Sequence, residues 1–395
     1  MKHLHIRTSS EEELFSPEDV LSPGAQLPPT LTATAWWQRR AADLWLIAAL
    51  AARLYAHLWT GFKWYFRLMR LVGFTILLFP GFFQMILFYF FSPRLLRSIP
   101  YGTKPRNRLD VYLPRRRWRK KGPCPVVIYV TGGAWTIGYK AWGALFGRRL
   151  SQRGVLVFCL DYRNFPQGKA MDMLQDVNTG IAWVLHNADL YGGAKDQVFL
   201  IGQSAGGHLA SLALLAQAFQ GAEKSTSLGG TPCWDSKALK AFVGVSGAYN
   251  LVTLADHLHD RGLYRNMFES MMMGPNGKPM LPELSPSIFA SKLSKRAVDL
   301  LPPVLLLHGS MDRSVPLSNA EEYHANLKRV GVSTTFKVYL GKTHTQPIVE
   351  DPMRGGQDEL MDEILSLIRG EKCVNRQFPM VPSVLIDAAS FICPF

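Results

Sequence analysis

"VFLIGQSAGGHLASLALL", residues 198–215, joins two apolar runs through a serine flanked by glycines. Val198 to Ile201 is short, β-rich and continuous, as suits a strand buried on both faces. Beyond Gly206 apolar residues return at helical spacing, at Leu209, Leu212, Ala213 and Leu215. The stretch therefore reads as strand, sharp turn, helix. Gly202-Gln203-Ser204-Ala205-Gly206 fits G-x-S-x-G, the elbow in which small residues let strand and helix crowd around a strained, outward-facing nucleophile. A chance glycine-serine turn fits five residues as well, so partners for Ser204 have to be found elsewhere in the chain.

A serine hydroxyl is a weak nucleophile and needs a base, which in turn needs an orienting carboxylate. "VLLLHGSMDRSVP", residues 304–316, is a buried strand running into a turn that holds Asp312, and "FKVYLGKTHTQP", residues 336–347, is a strand running into a turn that holds His344. Both fall just past strand carboxyl ends, where open α/β sheets place their sites. The order Ser, Asp, His is that of the α/β-hydrolase fold. Taken singly, Asp312 is also a turn former and His344 an ordinary loop histidine. "VIYVTGGAW", residues 127–135, supplies oxyanion donors: Gly132, Gly133 and Ala134 follow a strand and leave backbone N–H groups open, with the N–H of Ala205 completing the hole. His208 and His308 read as structural, and Asp256 and Asp299 lack a strand-end setting.

From about residue 107 the chain alternates strands, near 108–113, 126–131, 155–161, 198–203, 241–246, 304–308 and 334–340, with helices near 142–152, 170–188, 206–219, 319–330 and 356–369. This predicts a mostly parallel central sheet with helices on both faces. Residues 251–300 break the rhythm and read as a cap or lid insertion. Its Met267, Phe268, Met271, Met272 and Met273, together with Trp135, form either an adaptable apolar pocket or core filler.

The chain divides into a disordered polar tail (1–34), a membrane-associated helical region (35–100) and a catalytic domain (101–395). Residues 71–92 carry no charge and are long enough for a hydrocarbon core of ~30 Å. Pro80 and Gly81 within them allow a kinked span or a re-entrant hairpin, and residues 41–62 form a second span or an interfacial helix. A buried soluble helix is the competing reading of 71–92. Of the net charge of +14, +8 falls on residues 101–121, where "RRRWRKK" (115–121) suits anionic lipid better than nucleic acid, with a solvated loop as the alternative. The five cysteines show no metal spacing or disulfide framework, so neither metal nor cofactor is expected and the catalytic domain reads as cytosolic.

With these residues assembled, the chain resembles the α/β-hydrolases of the hormone-sensitive-lipase-like carboxylesterase group, and more closely the isoprenylcysteine α-carbonyl methylesterases of plants. The resemblance rests on "VTGGAWTIGYKAWG", "LDYRNFPQG", "IGQSAGGHLA", "GVSGAYNL" and "GKTHTQPIVEDPMRGGQDEL", and covers roughly residues 70–395. It implies hydrolysis of prenylcysteine methyl esters or methylated C-termini of prenylated proteins, with Ser204, Asp312 and His344 as triad and Gly132, Gly133, Ala134, Gln203 and Ala205 around the substrate carbonyl. The wider group has His-Gly-Gly-Gly where this chain has Thr131-Gly132-Gly133-Ala134, a departure the methylesterases share. The endoplasmic reticulum or Golgi follows from the same likeness, and membrane lipid is an expected partner. The alternatives are a membrane-bound lipid or arylacetamide-type esterase, a kynurenine formamidase, and a non-catalytic receptor or scaffold on a hydrolase shell.

Overall fold

The computed structural model describes residues 62–223, 233–261, 263–374 and 376–393, with Trp45 besides. The readings of residues 1–34 and of the 41–62 stretch, Trp45 and Phe62 apart, lie outside the described residues. The framework is an eight-stranded sheet: β1 (Leu95–Pro100), β2 (Arg108–Tyr112), β3 (Cys124–Val130), β4 (Leu156–Leu160), β5 (Gly193–Gln203), β6 (Leu239–Val245), β7 (Val304–Gly309) and β8 (Thr334–Tyr339). Their spatial order is β1-β2-β4-β3-β5-β6-β7-β8. β2 runs antiparallel to both β1 and β4, and every pair from β4 to β8 is parallel.

Side chains alternate along a strand, so a continuous apolar run can supply two cores at once. Val126, Ile128 and Val130 of β3 enter one core while Val127 and Tyr129 enter the other. β4 repeats the division, with Leu156, Phe158 and Leu160 on the first face and Val157 and Cys159 on the second.

Helices of seven or more residues are α1 (Phe62–Leu77), α2 (Phe79–Phe91), α3 (Ala144–Ser151), α4 (Ala170–Asn187), α5 (Ala205–Glu223), α6 (Leu251–Asp260), α7 (Arg265–Met271), α8 (Leu317–Val330), α9 (Glu359–Arg369) and α10 (Ser383–Ile392). The first core is closed by α4, α5, α8 and the 251–300 insertion, the second by α1, α2, α3, α9 and α10.

One expectation is corrected here. The domain boundary at residue 100 is not a boundary in the packing, because Leu95–Pro100 is the first strand of the catalytic sheet. Among the described residues no single helix is long and apolar enough to cross a membrane; the end of α1 and α2 reach that length and composition only as a pair bent by 74°, the kinked form that Pro80 and Gly81 allow. The chain turns at Leu78, and Pro80 sits in the first turn of α2, where its missing N–H costs nothing. Phe74, Leu78, Gly81, Met85 and Tyr89, spaced by three and four residues, form the stripe that packs inward. Gly81 permits this approach, since a Cβ there would lie 2.7 Å from Met353 Sδ. A buried polar group anchors the far end of α2: the Tyr89 hydroxyl donates to Asp110 Oδ2 at 2.7 Å and receives from Lys140 Nζ at 3.2 Å.

Candidate active site

The site grows out of the strand ends. Ser204 follows β5 directly and opens α5, with φ of +52°, a left-handed conformation that side chains rarely adopt. The flanking glycines make that turn possible. A Cβ on Gly206 would stand 2.1 Å from the Val130 carbonyl oxygen, and one on Gly202 would stand 2.6 Å from the Gly206 oxygen. The glycine box is therefore a packing requirement of β3, β5 and α5 meeting around the serine.

His344, on the loop after β8, lies with Nε2 3.0 Å from Ser204 Oγ, and its Nδ1–H donates to Asp312 Oδ2 at 2.7 Å. Asp312 is buried on the turn after β7, and its Oδ1 accepts the Ser314 and Val315 N–H groups at 2.8 and 2.9 Å. Burial works to raise the Asp312 carboxyl. The facing His344 and His308, with their hydrogen bonds, outweigh it and hold the group far below the ordinary carboxylate range. A permanent carboxylate is what an imidazole needs to stay oriented and to accept a proton from serine.

Opposite the serine, the loop after β3 is wound into an unusual shape, with positive φ at Gly133, Ala134 and Trp135 in succession. Successive N–H groups in such a turn converge on an anion-sized hollow. Among the described residues, loop hydrogen bonds do not engage the N–H groups of Gly133, Ala134 or Ala205. Gly132 has no room for a side chain: a Cβ would sit 2.2 Å from Gln203 Oε1 and 2.8 Å from Ser204 Cβ. Gln203 packs across this glycine, with Nε2 3.5 Å from His344 Nε2. The structure thus brings together Ser204, Asp312, His344, Gly132, Gly133, Ala134, Gln203 and Ala205.

The apolar-pocket reading of the cap is corrected. Phe268 and Met271 are fully buried, Trp135 nearly so, and Trp135 meets Phe268 edge to face at 5.5 Å. Their surface is spent on one another in the first core, and of the cap residues named from the sequence Met267 and Met273 stay half-buried. Exposed apolar side chains instead lie on the site loops: Ile137 and Trp142 after β3, Met311 after β7 and Leu340 after β8.

His308 and His208 are structural, as the sequence reading has them, while their links to the site and the part played by Arg106, Asp161 and Asn164 escaped it. His308 Nε2 lies 2.9 Å from the Val315 carbonyl and 3.2 Å from Asp312 Oδ2, so it steadies the triad carboxylate. Trp135 Nε1–H donates to His208 Nδ1 at 3.1 Å, and His208 Nε2–H donates to the Leu284 carbonyl at 2.8 Å, linking oxyanion loop, nucleophile helix and cap. Burial lowers His208 to about 4, which keeps it neutral and able to accept from Trp135. Arg106 pairs through two hydrogen bonds with Asp161 and donates to the Gly138 carbonyl, which Asn164 also engages. The string "LDYRN" was the visible signal for the last group.

The chain matches the BD-FAE family over residues 109–327, a span that contains Ser204 and Asp312 and ends before His344. It is 45% identical over 365 residues, 92% of this chain and 86% of the relative, to the probable isoprenylcysteine alpha-carbonyl methylesterase ICME of Oryza sativa subsp. japonica. The chain belongs to the isoprenylcysteine alpha-carbonyl methylesterase family. The Arabidopsis thaliana isoprenylcysteine alpha-carbonyl methylesterase ICME is 43% identical over 364 residues, 90% of this chain and 83% of its own length. Among solved structures, esterase B from Lactobacillus rhamnosis superposes with a TM-score of 0.55 at 19% identity, covering 82% of this chain and 96% of that one, which shows the shared α/β-hydrolase fold. Family membership and serine-histidine-aspartate geometry together make this methylesterase-family chain a carboxylic ester hydrolase.

Proposed function

We propose that the protein hydrolyses the carboxyl methyl ester of a C-terminal prenylcysteine, releasing methanol and the free carboxylate. The observation that carries this reading is the intact relay, His344 at 3.0 Å from Ser204 Oγ and 2.7 Å from Asp312, in a chain so similar to methylesterases of that name. His344 takes the Ser204 proton as Oγ attacks the ester carbonyl. The oxyanion is received by the N–H groups of Gly133, Ala134 and Ala205, and methanol departs with the proton returned by His344. Water then repeats the sequence on the acyl-serine, frees the acid and restores Ser204. The exposed Ile137, Trp142, Met311 and Leu340 on the surrounding loops suit a substrate whose reacting ester is attached to a long apolar chain.

The same reading places the protein on an internal membrane, the endoplasmic reticulum or Golgi, with the catalytic domain facing the cytosol. It is supported by the outward surface of α1, α2 and α10, where Phe66, Ile76, Phe79, Phe83, Phe91, Val384 and Phe391 are all exposed. A prenyl chain partitions into lipid, so attachment there brings enzyme and ester together.

The deciding experiment measures methanol release from farnesylcysteine methyl ester by detergent-purified protein, beside a short-chain acetyl ester and the Ser204→Ala variant. Turnover of the farnesyl ester should exceed that of the acetyl ester and fall by about 10³-fold or more in the variant. Cleavage of the acetyl ester alone would remove the prenylcysteine assignment and leave an esterase for another lipid. Undiminished turnover in Ser204→Ala would remove the site.

A further inference from the structure

On the second face of the sheet a cleft of about 320 Å³ opens between α2, α3 and the segment 376–380. That volume is near the lower end of the roughly 300–1,000 Å³ common to ligand sites. Five arginines line it, Arg115, Arg148, Arg149, Arg153 and Arg376, and no carboxylate does. Among the described residues none of the five forms an ion pair. Arg149 and Arg153 are four residues apart, a spacing at which like charges repel.

The donors here are not used up. Arg149 is 8% exposed, and while it donates to the Pro352 carbonyl through Nη2, its Nε has no partner among the described residues. Arg153 donates to the Arg149 carbonyl at 2.9 Å, and its Nε is also unpartnered, as are both side-chain polar atoms of Gln377. Behind the cleft stand Asp358 and Asp362. The first caps the Met361 N–H at 3.0 Å and the second accepts from Gln357 at 2.9 Å. Burial raises Asp358 to about 6, so at neutral pH it stays mostly ionised and offsets part of the Arg149 and Arg153 charge, without an ion pair to either among the described residues. Burial, reinforced by Arg153, lowers Arg149 to about 10. Buried guanidinium N–H groups without acceptors are costly, and an anion with several oxygens answers all of them together.

The surroundings narrow the source of that anion. Gln84 of α2 forms part of the wall, and its helix neighbours Phe83, Ile86 and Leu87 are turned outward and exposed. Phe378, also in the wall, is 92% exposed. Oxygen acceptors are wanted inside the cleft and apolar chains along its lip. We propose that the cleft binds the phosphate headgroup of an anionic membrane phospholipid, whose acyl chains lie along the exposed face of α2. This rests on the membrane attachment proposed above and is independent of the ester cleaved.

Flotation of the full chain with phosphatidylcholine vesicles, with or without phosphatidic acid, tests it. Phosphatidic acid should raise binding by about ten-fold or more at physiological salt, a gain lost in Arg149→Gln/Arg153→Gln. Arg117→Gln/Lys121→Gln, which removes the same charge outside the cleft, should lose much less. Equal losses from the two pairs would reduce the effect to general surface attraction and overturn the site. Binding to both vesicles without a phosphatidic acid gain would overturn it while leaving attachment intact, and binding to neither would overturn both. Full competition by inorganic phosphate would make free phosphate the ligand and overturn the lipid assignment. If thermal melting shows the buried Arg149 variant misfolded, Arg115→Gln/Arg376→Gln on the exposed rim takes its place.

Discussion

The two covers of the sheet are built from similar amounts of helix and differ on their outer sides. α4, α5 and α8 bury apolar stripes against the first face and leave no large apolar side chain exposed. On the second face α1, α2 and α10 bury Phe74, Leu78, Met85, Tyr89, Ile386 and Ala389, yet expose Phe66, Ile76, Phe79, Phe83, Ile86, Phe91, Val384 and Phe391. One cover turns few large apolar side chains outward and the other turns out many. The catalytic loops occupy the carboxyl edge between them, so chemistry and the proposed attachment would use different surfaces of one sheet.

The sharpest way to break the catalytic side is a single methyl group. Gly132→Ala places a carbon 2.2 Å from Gln203 Oε1 and 2.8 Å from Ser204 Cβ, so the oxyanion loop or the nucleophile must give way. Losing alignment of even one oxyanion donor costs roughly 10²–10³-fold in kcat. We expect that loss toward any ester, with vesicle binding unchanged. Activity retained within a few-fold would mean that the loop after β3 is not the oxyanion site.

The second face should answer the opposite way. Phe83→Gln with Leu87→Gln alters exposed positions of α2 and leaves its inward stripe untouched. Each large apolar side chain that enters lipid contributes about 1.5–3 kcal/mol when fully buried. The pair should therefore lower partition onto phosphatidylcholine vesicles by about 10²-fold, while turnover of a soluble acetyl ester stays at the parent level. Unchanged partition would mean that this surface meets something other than lipid.

The sequence was most legible where physics demands a continuous pattern. β2 to β8 stand within a few residues of expectation because apolar runs flanked by turn residues have few other outcomes. β1 was missed because it lacks such a pattern: Ser98 has φ of +58° and the register slips between Leu96 and Ile99. The 71–92 stretch was read from its length, its lack of charge and its Pro80-Gly81 break. α2 is apolar on every side, so its composition cannot show which stripe faces protein and which faces outward. The triad was legible because a serine nucleophile dictates its partners. His208 was read only as packing, since its role lies in contacts with Trp135 and Leu284, more than 70 residues away on either side.

The smallest expected effect probes the seam between the catalytic loop and the second cover. Thr345, next to the catalytic histidine, donates its hydroxyl to Glu350 Oε1 at 2.9 Å and lies 3.4 Å from Cys393 Sγ at the end of α10. Glu350 is fully buried and its Oε2 has no partner among the described residues. Burial pushes its carboxyl up to about 7 from an ordinary value of 4.5. A raised acid holds its proton in the folded state after the unfolded chain has released it. Its contribution is therefore complete below pH 4.5 and is lost as pH rises through 7. Glu350→Gln keeps the acceptor for Thr345 and removes the charge. It should raise the melting temperature by a few degrees at pH 8, equivalent to at most about 3 kcal/mol, and change it little at pH 5. An equal rise at both pH values would show that the seam is limited by packing and not by this proton.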